Sequence, residues 1–236
     1  PEEIADAAGM LAVKLGCATA SSGAGGAHFG SYLCSVVKQV FNLADEGKLN
    51  LDLLIVPSIC DAARNLPGIW SRNFSTPCRT LYLPQNSASA AAERYLQQEY
   101  AGLAAVVSEV TGRALDAEAV RRSIAVYNRN RNLLRALQAL KSREPWKLAL
   151  DEYYLLTAVG SLLPPLEHNR LLERVLPLLA MRQVAQQDKI RVLLCGCFCE
   201  QPPLGMLEAI ARCCHVVGDD LLIGLRWLTD DPDSEG

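Results

Sequence analysis

The stretch "LDLLIVPSICDAARNL", Leu51–Leu66, decides the fold. Its first half is apolar almost without interruption and strand-sized. Its second half carries apolar residues at helical spacing. An unbroken apolar strand is buried on both faces, as in a parallel sheet covered by helices. A strand running directly into a helix is the repeating step of α/β folds. Cys60 stands at the junction.

Working outward, the same alternation recurs on both sides. "LAVKL" (Leu11–Leu15) reads as a strand, and the helix that begins near "SYLCSVV" closes at Gly47. "CDAARNLPGIWSRNF" reads as a helix broken near Pro67, and "RTLYLPQ" (Arg79–Gln85) as a third strand. From residue 87 to about 188 the pattern is helical only. Gly112 closes one helix and Asp116 caps the next, and Pro145 is read as opening a third, since proline is tolerated in a first turn. "IRVLLCGC" (Ile190–Cys197) then returns to strand, "PLGMLEAIARC" to helix and "HVVGDDLLIGLRW" to a second strand. The expected organisation is a first α/β domain over 1–86, a helical segment over 87–188 and the beginning of a second α/β domain over 189–236. A chain that starts on Pro1 within a helical pattern and stops soon after a strand reads as an internal fragment.

Half of the 236 residues are apolar and the formal charge is −3. Acids and bases are mixed, so no basic stripe points to nucleic acid or to a membrane surface. No apolar run reaches the roughly 18 residues that a membrane span needs. The sequence lacks G-x-x-x-x-G-K-[ST], G-x-G-x-x-G after a strand, and G-x-S-x-G, so these signatures give no ATP site, dinucleotide site or nucleophile elbow. Nine cysteines are many for a chain with so large a core. Their odd number and the chain length favour free thiols in a reducing, cytoplasmic setting over a disulfide scaffold.

Position ranks the cysteines. Cys60 follows a strand and opens a helix, where ligands bind in open α/β sheets and where a helix N-terminus favours a thiolate. Cys199 has the same address after the second-domain strand, with Gly196 permitting a turn and Pro202 and Pro203 stiffening the exit. Cys34 lies just inside a helix after the glycine-rich "SSGAGGAHFG". Cys195 and Cys197 share one face of a strand and read as core, or as residues beside the ligands, while Cys17, Cys78, Cys213 and Cys214 read as structural. Three dispersed thiolates suit an iron–sulfur cluster, since such clusters are held by cysteine. Zinc prefers close C-x-x-C pairs, which are absent here. His28 is kept as a site candidate, and His168 reads as a solvated residue near a helix start. Asp219 and Asp220 at a strand end are candidates for hydrogen-bonding or catalytic work.

Taken together, "SYLCSVV", "VPSICDAARNL", "YNRNR", "GCFCEQPP" and "VVGDDLLIGLRW" resemble the 2-hydroxyacyl-CoA dehydratase and benzoyl-CoA reductase family, in order and over the whole chain. "FCEQPP" is most similar to its ATP-dependent benzoyl-CoA reductase branch. The family's D-D-x-x-x-G-x-R pattern is met by Asp219, Asp220, Gly224 and Arg226. The resemblance implies an α/β fold of two flavodoxin-like parallel-sheet domains joined by a helical segment, the second continuing for about 150 residues more. It implies an iron–sulfur cluster, [4Fe-4S] by expectation, held by Cys34, Cys60 and Cys199. Cys195 and Cys197 raise a larger or bridged cluster. Asp61, Glu200 and Arg226 become second-layer or substrate-side candidates. The implied activity is two-electron reduction of the ring of benzoyl-CoA to a cyclic dienoyl-CoA, with two protons taken up. The implied partners are a homologous cluster-bearing subunit, ATP-hydrolysing subunits and ferredoxin as electron donor. A 2-hydroxyacyl-CoA dehydratase subunit and a non-catalytic electron-relay subunit are the alternatives, and a zinc-bearing structural protein is a third.

Overall fold

The structure is a computed structural model that describes residues 1–16, 23–196, 202–221 and 228. Its contacts divide the chain into two compact units: Pro1–Met10 with Leu15–Val120, and Leu11–Lys14 with Arg121–Gly236. Each holds a pair of parallel strands with helices around it, so the α/β class is observed.

In the first unit the elements are α1 (Glu2–Ala7), α2 (Ala24–His28), α3 (Ser35–Asp45), β1 (Leu54–Pro57), α4 (Asp61–Asn73), β2 (Cys78–Leu81) and α5 (Ala92–Thr111). Strand β1 pairs in parallel with β2, from Leu54 opposite Cys78 to Pro57 opposite Leu81. Side chains alternate along β1. Leu54 and Val56 pack with Val37, Val40 and Phe41 of α3 and with Ala62, Ala63, Leu66 and Trp70 of α4. Leu53 and Ile55 pack instead with Ala8, Leu103 and Val107, brought by α1 and α5. This two-sided burial is why the stretch is apolar throughout.

Three expectations are corrected here. Leu11–Leu15 is not a strand: Leu11 and Val13 are exposed, and the Lys14 N–H donates to the Ser161 carbonyl at 3.2 Å instead of joining a ladder. Helix α4 is not broken at Pro67. Proline removes one helix bond and crowds the carbonyl four residues earlier, but Leu66 and Trp70 on either side are held in the core and the helix runs through. The strands are also shorter than the apolar runs that announce them, and Tyr82 and Leu83 lie beyond the end of β2.

Helix α6 (Ala117–Arg143) begins in the first unit and continues into the second. Asp116 caps it, its Oδ1 accepting the Ala119 N–H at 2.6 Å, and Gly112 closes α5 with φ of 65°. The second unit adds α7 (Leu150–Val159), α8 (Pro165–Ala180), β3 (Ile190–Leu194), α9 (Leu204–Cys213) and β4 (Cys214–Asp219). Helix α7 starts at Leu150, not Pro145, because the Glu152 carboxylate accepts the Ala149 N–H at 3.0 Å and fixes the first turn there. Arg182 pairs with both oxygens of that carboxylate, at 2.8 and 3.0 Å. The core combines Leu133, Leu134, Leu137 and Leu140 of α6 with Tyr153, Tyr154, Leu172, Leu207 and Val216. Strands β3 and β4 are parallel, with a shift between Val192 and Leu193 that leaves Val217 out of register. The Gln138 amide donates to the Val217 carbonyl at 3.1 Å, which satisfies the displaced group. Among the described residues no helix is long and apolar enough to cross a membrane.

Candidate functional site

Cys60 is the N-cap of α4. Its backbone is extended, and its Sγ accepts the Ala63 N–H at 3.4 Å. Cys34 is the N-cap of α3, at the helix boundary rather than inside it, with no side-chain capping bond. Both thiols are free and exposed. Unsatisfied N–H groups and the positive end of the helix dipole favour anions at such positions. Helices α3 and α4 flank β1 in one core cluster, so both caps belong to the same α/β layer. Around Cys60 the sheet continues beyond β1, since the Ser58 N–H donates to the Leu81 carbonyl at 2.8 Å. The Ser58 hydroxyl in turn accepts from Arg64 Nε at 2.9 Å. Ile59, Tyr82 and Leu83 follow the two strands and are 60%, 47% and 42% exposed. An exposed apolar rim therefore lies at the carboxyl edge of the strands that lead to the thiol. Asp61 lies in the first turn of α4 and is exposed.

The donor set in this unit fits an iron–sulfur cluster in kind. Thiolates are the usual ligands, and N–H groups donating to cysteine sulfur are among the levers on such clusters. Among the described residues no three His, Cys, Asp or Glu side chains form a metal-binding group. Cys17, Cys197, Cys199, Glu200, Gly224 and Arg226 lie outside the described residues.

Other cysteines are now placed. Cys195 lies just past the end of β3 and is exposed, so it is neither on the strand nor in the core. Cys78 is half-buried, and burial pushes its thiol up to about 11, which keeps it protonated. Cys214 donates to the Ile210 carbonyl at 3.2 Å. His28 is exposed and packs on the Phe41 ring at 4.7 Å between centroids.

At the carboxyl ends of β3 and β4 the second unit carries a buried polar constellation. Lys141 Nζ lies 3.5 Å from Asp219 Oδ2, with side chains 1% and 0% exposed. The Tyr154 hydroxyl donates to the same oxygen at 2.9 Å. The Lys141 ammonium also sits 3.7 Å from the centre of the Tyr153 ring. Burial pushes Lys141 down to about 8, against the pull of Asp219, which favours the charged form. Burial raises the Tyr154 hydroxyl first, and the neighbouring Asp219 charge and hydrogen bond raise it further. Lys141, Tyr153 and Tyr154 escaped the sequence reading. One signal was available: Lys141 stands four residues after Leu137, on the buried stripe of α6, where an unpaired charge is costly.

His168 also departs from expectation. It is fully buried, not solvated. Its Nε2 lies 2.9 Å from the Leu156 carbonyl, and its Nδ1 lies 2.9 Å from the Asn130 amide nitrogen. A carbonyl only accepts, so Nε2 carries the proton and Nδ1 accepts. Burial lowers its pKa, with the Leu156 bond opposing. The ring joins α6, α7 and α8 and occupies the space beside Gly160, where a Cβ would lie 2.6 Å from Nδ1. A cavity of about 600 Å³ in this unit is lined by Trp146, Arg182, Lys189 and His215. It runs along the start of β4 at Cys214–Val216 and includes Lys141 in its lining, so it borders the buried constellation.

The family described as 2-hydroxyglutaryl-CoA dehydratase, D-component, matches residues 1–236. The chain is 35% identical to the C subunit of benzoyl-CoA reductase of Thauera aromatica over 243 aligned residues, covering all of this chain and 62% of that protein. It is 26% identical to the beta subunit of lactoyl-CoA dehydratase of Anaerotignum propionicum, covering all of this chain and 63% of that protein. It is 21% identical to the (R)-phenyllactyl-CoA dehydratase beta subunit of Clostridium sporogenes over 151 residues, or 61% of this chain and 39% of that protein. The chain thus spans less than two thirds of the length of these relatives.

Proposed function

This chain belongs to the 2-hydroxyglutaryl-CoA dehydratase D-component family, and from that premise we propose that it is part of an iron–sulfur subunit of an ATP-dependent, ferredoxin-driven benzoyl-CoA reductase. The observation that carries the reading is the likeness, over all of this chain, to the C subunit of benzoyl-CoA reductase. It is supported by two exposed cysteines at helix N-termini beside one parallel sheet. In this reading each unit is part of a flavodoxin-like domain, and the free thiols suit a reducing, cytoplasmic setting.

Cys34, Cys60 and Cys199 are the proposed ligands. A bound cluster supplies single low-potential electrons to an acyl-CoA substrate. The chain's own part is to present the thiolates and to exclude water. The α4 N-terminus and the Ala63 N–H stabilise negative charge on the Cys60 sulfur. Ile59, Tyr82 and Leu83 give its surroundings an apolar rim, and low dielectric is a further lever on cluster potential. Asp61, Glu200 and Arg226 are assigned to the substrate side or to bonds with the ligands. ATP hydrolysis is assigned to partner subunits. A homologous partner completes the reductase, and ferredoxin is the electron source.

A dehydratase role is the second reading, favoured by the match to the beta subunit of lactoyl-CoA dehydratase. The test is an anaerobically purified complex containing the full-length chain, assayed with benzoyl-CoA and with lactoyl-CoA. Ring reduction with benzoyl-CoA supports the proposal. Water loss from lactoyl-CoA without ring reduction overturns it in favour of the dehydratase. Iron and acid-labile sulfide that survive Cys60→Ser and Cys199→Ser would remove the ligand assignment.

A further inference from the structure

Asp219 and Asp220 are adjacent, yet their side chains do different things. Asp219 points into the helical layer, where Tyr154 and Lys141 hold its Oδ2. Its Oδ1 accepts the Leu221 N–H at 3.2 Å. Asp220 faces β3. Its backbone N–H donates to the Leu194 carbonyl at 3.1 Å, and its Oδ1 accepts the Gly196 N–H at 2.9 Å. In a parallel ladder, one residue bonds the carbonyl before and the amide after its partner. Asp220 makes both bonds around Cys195, but the second comes from its side chain. The carboxylate stands in for the main-chain carbonyl at this rung, so the exit of β3 stays bonded one step past the end of both strands.

We infer that Asp219 and Asp220 form a two-part positioning device for the exit of β3 at Cys195 and Gly196, the point from which the chain runs on to Cys199. Asp219 is the anchor, fixed by Tyr154 of α7 and Lys141 of α6. Asp220 is the clasp on Gly196, three residues before Cys199. The inference rests on the reading of Cys199 as a ligand, but its first consequence does not. Without the clasp, the Gly196 amide has lost its observed acceptor at a strand end.

The experiment uses the anaerobically purified complex with the full-length chain. Amide exchange is read at Gly196, and iron, sulfide and the EPR spectrum are read beside it. Asp220→Ala speeds Gly196 exchange about tenfold, the loss of one bond to a charged acceptor, and it lowers iron content or broadens the EPR signal. Asp220→Asn keeps a side-chain oxygen and restores both readouts towards wild type. Tyr154→Phe removes only part of the anchor and gives a smaller change in the same direction. Unchanged Gly196 exchange in Asp220→Ala overturns the clasp. Faster exchange with iron and EPR unaltered, while Cys199→Ser loses iron, overturns the positioning role and leaves the ligand reading intact. If Cys199→Ser leaves iron unchanged, the ligand reading fails, and the clasp is decided by Gly196 exchange alone.

Discussion

Replacing Asp219 by Ala tests the buried constellation most directly. The substitution removes a carboxylate that is out of solvent and 3.5 Å from Lys141 Nζ. At an effective dielectric constant of about 20 the lost attraction is roughly 5 kcal/mol, but the lysine need not stay charged. With its pKa already at about 8, giving up its proton at pH 7 costs about 1.4 kcal/mol. The Tyr154 hydroxyl loses its charged acceptor, which costs about 2 kcal/mol more. The expected loss is therefore about 3 to 4 kcal/mol, within the range seen when one partner of a buried pair is removed. Asp219→Asn keeps an acceptor for Tyr154 and should lose only about 1 to 2 kcal/mol by the same reasoning. Adding Lys141→Met to Asp219→Asn removes both charges, so the double variant should be less destabilised than the sum of the single ones. Urea unfolding at pH 7, followed by circular dichroism, measures wild type, the three single variants and the double variant. Equal losses for Ala and Asn at position 219, or strict additivity in the double variant, would refute the reasoning.

Three further outcomes follow from the same geometry. The folded pKa of Lys141 lies below its unfolded value, so the unfolded chain binds more protons from about 8 upward and stability rises with pH there; the raised Cys78 thiol offsets the rise above about 9, and the raised Tyr153 and Tyr154 turn the curve down above about 10. Urea midpoints against pH should show this rise in wild type and not in Lys141→Met. His168 is also depressed, so its contribution is complete above its unfolded pKa of about 6.5 and is lost as pH falls through the folded value; His168→Asn should flatten the acid limb of the same curve. Cys60→Ser keeps an oxygen to accept the Ala63 N–H, whereas Cys60→Ala loses the cap and about 1 kcal/mol of metal-free stability; both should lose iron, and a Ser variant as unstable as Ala would count against the cap.

The α/β class was legible because β1 is buried on two faces, which leaves an unmistakable apolar run. The helical middle was equally plain from its 3.6-residue period and from Asp116 and Gly112. What escaped notice depended on contacts distant in sequence. Leu11–Leu15 has strand-like residues, but a strand exists only through a partner, and none pairs with it among the described residues. Pro67 read as a break because its neighbours' burial is tertiary information. His168 looked solvated because it sits between Glu167 and Arg170, while Asn130 and the Leu156 carbonyl, which receive it, lie far away in the chain. Among the candidate thiols, Cys60 was singled out by position, since a helix start after a strand can be read locally, whereas Cys34 became a candidate only with the family resemblance. Lys141 and Tyr154 could not be found that way, because only the fold brings them to Asp219.

Gly160 has an ordinary helical φ of −63°, so nothing in its backbone asks for glycine. The His168 ring stands where its side chain would be. The two positions are therefore bound to a common history. Descendants that keep the histidine can put no larger residue at 160, and those that lose it are free to do so. A comparison across the family should find the pair changing together, with the loss of the ring preceding the gain of the methyl group.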